Sequence, residues 1–149
     1  MFDISKATIE QDFPLGTTVC DTNGTRAIYV HAPMVSISAY QAVGFDAAFR
    51  AAPLAHTMAY DCWSVGFAQT AIAVDEYGWL VVAGGVNLRV KIAPRTRSGT
   101  DLYTSDTPGI LSGCSKRGIL IEGVVTLQSS GRCSEAVPMV ATCPRPAPF

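Results

Sequence analysis

His31 and His56 are the two histidines of the chain, and nucleophilic catalysis would need one of them beside an activated serine or cysteine. Neither lies in a nucleophile motif. His31 follows Val30 at the end of a β-prone run and His56 sits in an alanine-rich stretch, so both are expected to be surface or hydrogen-bonded structural residues. The five cysteines, Cys20, Cys62, Cys114, Cys133 and Cys143, are odd in number and have neither a Cys-x-x-Cys pair nor zinc-ligand spacing. They are expected to be free and to serve as small core residues. Ala83-Gly84-Gly85-Val86 has no lysine or helix start behind it, as a phosphate loop would need. No residue is therefore assigned a catalytic, cofactor-binding or metal-binding role, and an enzyme is not expected.

Two charged groups need a separate reading. Asp75-Glu76 before Tyr77-Gly78 is similar to the Asp-x-x-Tyr-x-Gly turn of trimeric dUTP hydrolases, which are β-rich and of like length. Here the tyrosine follows Asp75 at two residues instead of three, and that family's serine-rich and glycine-rich motifs are missing; the pair is expected to be a solvated turn. Arg89, Lys91, Arg95 and Arg97 alternate along a strand and enter a loop, with Arg89 and Lys91 on one face. The cluster has no aromatic residues for base stacking, so a solvated sheet edge or a contact with an acidic protein surface is expected in place of nucleic acid.

The elements that position these groups are β-rich. Tyr77-Gly78-Trp79 lies at the centre of two apolar runs, with Tyr77, Trp79 and Val81 on one face and Gly78, Leu80 and Val82 on the other. Gly78 leaves room for a bulge or for close approach of a neighbour beside the aromatics. Thr17–Asp21 and Thr25–Val30 flank Thr22-Asn23-Gly24, a strong hairpin signal. A β-prone run surrounds Ala39–Phe45, and further strands are predicted over Ser64–Thr70, Gly78–Ala83, Val86–Ile92, Asp101–Thr104, Gly118–Gln128 and Ala136–Thr142. Asp46–Ala59 offers a short helix capped by Asp46 and cut by Pro53, or a compact loop. The fold class is all-β, a small barrel or sandwich with at most one short helix. Its core is expected to contain Val19, Ile28, Val65, Phe67, Trp79, Val81, Leu88, Val90, Ile119, Ile121 and Val124. Residues 14–143 form this domain; 1–13 are an extended arm that orders only when something holds it, and 144–149 a proline-rich tail whose missing N–H groups bar it from a ladder.

Composition narrows the partners. Hydrophobic residues make up 48% and charged residues 15% of the 149, against about 25% charged in a typical soluble domain, which suggests surface covered by other subunits. A net charge of −1 argues against a general nucleic-acid binder. Through Val81 there are eight acids against three bases, and from Val82 four acids against eight bases. The halves could pair head-to-tail between subunits, or mix on one folded surface. The first residues lack the basic start and apolar stretch of a secretory signal and no run reaches membrane-spanning length, so synthesis in a reducing cytoplasm and no membrane partner are expected.

Phe13-Pro14-Leu15-Gly16 before the hairpin, Val65-Gly66-Phe67-Ala68-Gln69, the run Tyr77–Gly84, Leu102-Tyr103-Thr104-Ser105 and Ile121-Glu122-Gly123-Val124-Val125 occur in order over Phe13–Val140. This pattern resembles the head-decoration, or capsid cement, proteins of tailed bacteriophages. The resemblance implies a structural virion protein, often homotrimeric and without cofactor, seated on the outer surface of the mature capsid and bound to the major capsid protein. It implies no direct contact with nucleic acid. Phe2, Ile4, Ile9 and Phe13 of the arm are the expected apolar anchors on the shell, and Tyr77, Gly78 and Trp79 the structural motif. A β-rich phage tail or host-binding module and a small trimeric β-barrel nucleotide hydrolase are the alternatives.

Overall fold

The structure, a computed structural model, describes residues 4–85 and 87–147. Its strands are β1 (Thr18–Cys20), β2 (Arg26–His31), β3 (Ala42–Phe45), β4 (Ala51–Pro53), β5 (Ser64–Ala68), β6 (Tyr77–Gly84), β7 (Arg89–Ile92), β8 (Leu102–Thr104), β9 (Leu111–Ser112), β10 (Leu120–Thr126) and β11 (Glu135–Ala147). The one helix among the described residues, α1 (His56–Tyr60), precedes β5.

The protein is all-β and contains a closed five-stranded barrel. β10, β8, β9, β7 and β11 pair in that order, and β11 returns to β10 to complete the ring. All five strands come from residues 89–147. The earlier strands form a flanking sheet in the order β6-β5-β3-β4, with β2 and β1 added beyond β6. β6 joins the two parts. It pairs with β2 from His31↔Tyr77 to Arg26↔Ala83, and with β5 and β11 through Leu80, Val81, Ala83 and Gly84. The charge asymmetry along the chain thereby becomes spatial, because the base-rich half builds the barrel and the acid-rich half the flanking sheet.

Apolar alternation decides which faces meet. Val90 and Ile92 of β7, Ile121 and Val124 of β10 and Val137, Met139 and Ala141 of β11 point inward and pack with Val65, Phe67 and Val81 of the flanking sheet. A second cluster gathers Val30, Ile37, Val43, Ile72 and Leu80 on the opposite face of β6. Of the expected core, Val65, Phe67, Trp79, Val81, Leu88, Val90, Ile121 and Val124 are buried, while Val19, Ile28 and Ile119 are half-buried. The hairpin forms as expected, its turn held by Asp21 Oδ1, which accepts the N–H groups of Asn23 (2.8 Å) and Thr25 (3.0 Å), and by Gly24 at φ +81°.

Several expectations need correction. The proline-rich tail does enter a ladder: Glu122↔Arg145, Ile121↔Pro146 and Leu120↔Ala147 pair β10 with the end of β11. Pro144 and Pro146 share one strand parity, so both nitrogens can face the edge of β11 that no described strand occupies there, while Arg145 and Ala147 face β10. Gly123 at φ +84° absorbs the register shift that this pairing requires. Residues 148 and 149 lie outside the described set.

The helix begins after Pro53 instead of before it, and Asp46 caps a tight turn, accepting from the backbone N–H groups of Ala48 (2.9 Å) and Arg50 (3.0 Å). All five cysteines are free, as expected, but exposed instead of buried. Cys20 lies on the outer strand β1, Cys62 and Cys143 at positive φ, and Cys114 and Cys133 in loops, none an inward strand position. Arg89 and Lys91 are not on a sheet edge, since β7 lies between β9 and β11.

Candidate interaction surface

The aromatic motif is built where β2 and β6 run side by side. Tyr29↔Trp79 and His31↔Tyr77 are cross-strand partners, which brings four large rings onto one face of the pair. The Tyr29 and Trp79 centroids are 4.9 Å apart, and His31 stacks on Tyr77 at 4.2 Å with 14° between planes. On the reverse face Gly78 makes close packing possible, because a Cβ there would lie 2.7 Å from Ile72 Cδ1. The extra residue in the ladder is Val82, between the pairs Arg26↔Ala83 and Ala27↔Val81, so Gly78 serves close approach and not a bulge.

The N-terminal arm lies over this aromatic face. Thr8 and Tyr77 exchange backbone hydrogen bonds of 3.0 and 2.7 Å, and the Asp12 N–H donates to the Tyr29 hydroxyl at 3.1 Å. Phe13 places its ring edge-on to Tyr29 at 5.4 Å and against Trp79 at 5.3 Å. Ile4 and Ala7 pack against the apolar clusters. What holds the arm is thus the protein's own sheet, where the sequence suggested ordering on a partner. Of the four expected anchors, Ile4 and Phe13 contact the body, Ile9 points outward at 64% exposure, and Phe2 lies outside the described residues.

Ile9 has exposed apolar company that the sequence reading missed. Asp75 N–H donates to Ala32 O, Ala32 N–H to Glu76 O, and Ile37 and Ile72 form a bridge, so the 32–37 and 72–76 segments run together. Met34, Val35 and Val74 on these segments are exposed, and the Thr8–Tyr77 bridge brings Ile9 to the same end of β6. The signal was present as apolar residues in turns, positions that strand periodicity does not score. A separate outward group, Val125, Leu127 and Val140, stands on the barrel, with Val125↔Val140 a cross-strand pair.

The groups with chemical potential each have local partners. His56 Nδ1 is 2.6 Å from Thr104 Oγ1 and its Nε2 is 3.3 Å from Asp106 Oδ1, which resembles a relay. Thr104 is buried, however, and its hydroxyl accepts the Ile119 N–H at 2.9 Å, which ties β8 to the residue before β10. Asp75 lies 3.8 Å from His31, and Glu76 Oε1 accepts the Ala73 N–H, a solvated turn as expected. Among the described residues no cluster of three His, Cys, Asp or Glu side chains could hold a metal ion, and no helix is long and apolar enough to cross a membrane. Comparison with family models, characterised proteins and solved structures finds no match for this chain.

Proposed function

We propose that the protein is a structural virion component, a capsid decoration protein that binds the outer surface of a mature phage head and stabilises it against the pressure of packaged DNA. The observation that carries this reading is the set of exposed apolar side chains Ile9, Met34, Val35 and Val74, carried by segments that flank the start of β6, in a chain with only 15% charged residues. The ordered strand and glycine pattern of Phe13–Val140 points the same way. The partner is the major capsid protein, and a homotrimer suits a chain whose acid-rich sheet and base-rich barrel lie on different parts of the body. A ligand that binds only the expanded lattice stabilises it by its differential affinity, and repetition over the shell multiplies modest single-site binding.

The test is sedimentation of purified protein with expanded heads and with unexpanded precursors. Saturable binding to expanded heads, weakened by Ile9→Asp and Met34→Asp, is the expected result. Failure to bind expanded heads at any salt concentration overturns the proposal.

A further inference from the structure

The loop between β7 and β8 and the end of β9 enclose a cleft of about 250 Å³, lined by Arg95, Thr96, Arg97, Thr100, Ser112 and Cys114 among others. Arg95 and Arg97 are exposed, and neither forms an ion pair among the described residues. No carboxylate lines the cleft. Of the nearby acids, Glu135 is turned to the Gly131 N–H, which it accepts at 2.7 Å, and Asp101 lines a separate hollow beside β10. Two unpaired guanidiniums therefore set the local potential, within the half of the chain that carries eight bases against four acids.

The loop that presents them is fixed from below. Thr96 N–H donates to Ser130 Oγ at 2.8 Å, Ser98 N–H to Ser129 Oγ at 2.9 Å, Arg95 N–H to Gly131 O at 2.8 Å and Gly99 N–H to Thr126 O at 3.0 Å. A loop so tied loses little further freedom when a ligand arrives. Across the cleft, Ser112 Oγ accepts the Cys114 N–H at 3.1 Å and keeps its own proton to donate. Planar guanidinium forks match the oxygen spacing of phosphate and sulfate, and a hydroxyl supplies a further donor. The volume lies below the roughly 300–1,000 Å³ of pockets for larger organic ligands.

We propose that this cleft is a binding site for a small tetrahedral oxyanion, phosphate or sulfate, free or as the head of a monoester. The site is independent of the apolar surface assigned to the shell. It is tested by titrating the full chain with sodium phosphate, sodium sulfate and glucose 6-phosphate at constant ionic strength, following amide resonances. Saturable shifts confined to 94–100 and 112–114 are expected, with chloride giving none. Arg97→Gln, and Arg95→Gln with Arg97→Gln, should weaken phosphate binding by about tenfold or more with unchanged circular dichroism. Shifts equal to those from chloride, or phosphate affinity unchanged in the double variant, overturn the proposal. So does a single-stranded oligonucleotide whose affinity rises with length while phosphate fails to saturate, since that describes an extended nucleic-acid surface.

Discussion

Phe13→Ala and Ile9→Ala remove two apolar side chains from the same arm and should have opposite consequences. Phe13 is 37% exposed, so about two thirds of a side chain that buries on the order of 200 Å² is covered by the body. At about 25 cal/mol/Å² that is roughly 3 kcal/mol, and the alanine left behind and a compact unfolded chain reduce it to about 2. The edge-on contacts with Tyr29 and Trp79 add about 1 kcal/mol more. Urea unfolding followed by tryptophan fluorescence reads the sum directly, because Trp79 is one of the rings Phe13 touches. With an m-value of about 1.5 kcal/mol/M the midpoint should fall by about 2 M for Phe13→Ala. Ile9, at 64% exposure, should leave the midpoint within about 0.3 M while weakening attachment to heads. A Phe13→Ala midpoint as close to the parent as that of Ile9→Ala would refute the docked arm.

Gly78→Ala should destabilise by about 1–3 kcal/mol in the same assay, since the new Cβ meets the buried Ile72 side chain at 2.7 and 2.9 Å. Thr126→Val should raise stability by about 1 kcal/mol, because the Thr126 hydroxyl is buried without a hydrogen-bond partner among the described residues; a lower midpoint would show that the hydroxyl has one in solution. Burial alone would raise the Asp46 carboxyl, but the N–H groups of Arg50 and Ala48 and the Arg50 guanidinium outweigh it and hold the group below its ordinary value of 3.8. Its stabilisation is therefore present above pH 3.8 and lost as pH falls through the lower folded value. The advantage of the parent over Asp46→Asn should shrink over that window and be absent below it. Native protein should react with five equivalents of a thiol reagent without denaturant, and reductant should not shift its melting temperature.

Much of the body was legible from periodicity. The Asn-Gly hairpin, the alternation through Tyr77–Val82 and the inward residues of β5, β7 and β10 follow from short-range rules of turn and pleat, and they sit where those rules put them. Three features were not legible because they depend on partners distant in sequence. The proline tail pairs with β10 only because Pro144 and Pro146 share a parity and Gly123 takes up the shift, a relation between positions more than twenty residues apart. The arm has little periodicity of its own, and its order comes from Thr8 meeting Tyr77 and Phe13 meeting Trp79. The cysteines read as core on residue preference, yet each falls at an outer strand, turn or bulge. At the candidate surface, the sequence named Ile9 as one apolar anchor of the arm, whereas its place beside the segments of Met34, Val35 and Val74 at the start of β6 required the loop pairing.

The closure of the barrel by β11 imposes an order in time. β6 ends at Gly84, and β11, which both closes the ring and covers the last residues of β6, runs to Ala147. At a synthesis rate of about 5–20 residues per second, roughly 3–13 s separate the two. During that interval Val65, Phe67 and Val81 have no barrel to pack against, and part of one edge of β6 stands open. A nascent chain of this protein is thus most exposed to wrong pairing with its neighbours on a polysome just before its final strand arrives, and slowing translation beyond Gly84 should lower the yield of folded protein more than slowing it before β6.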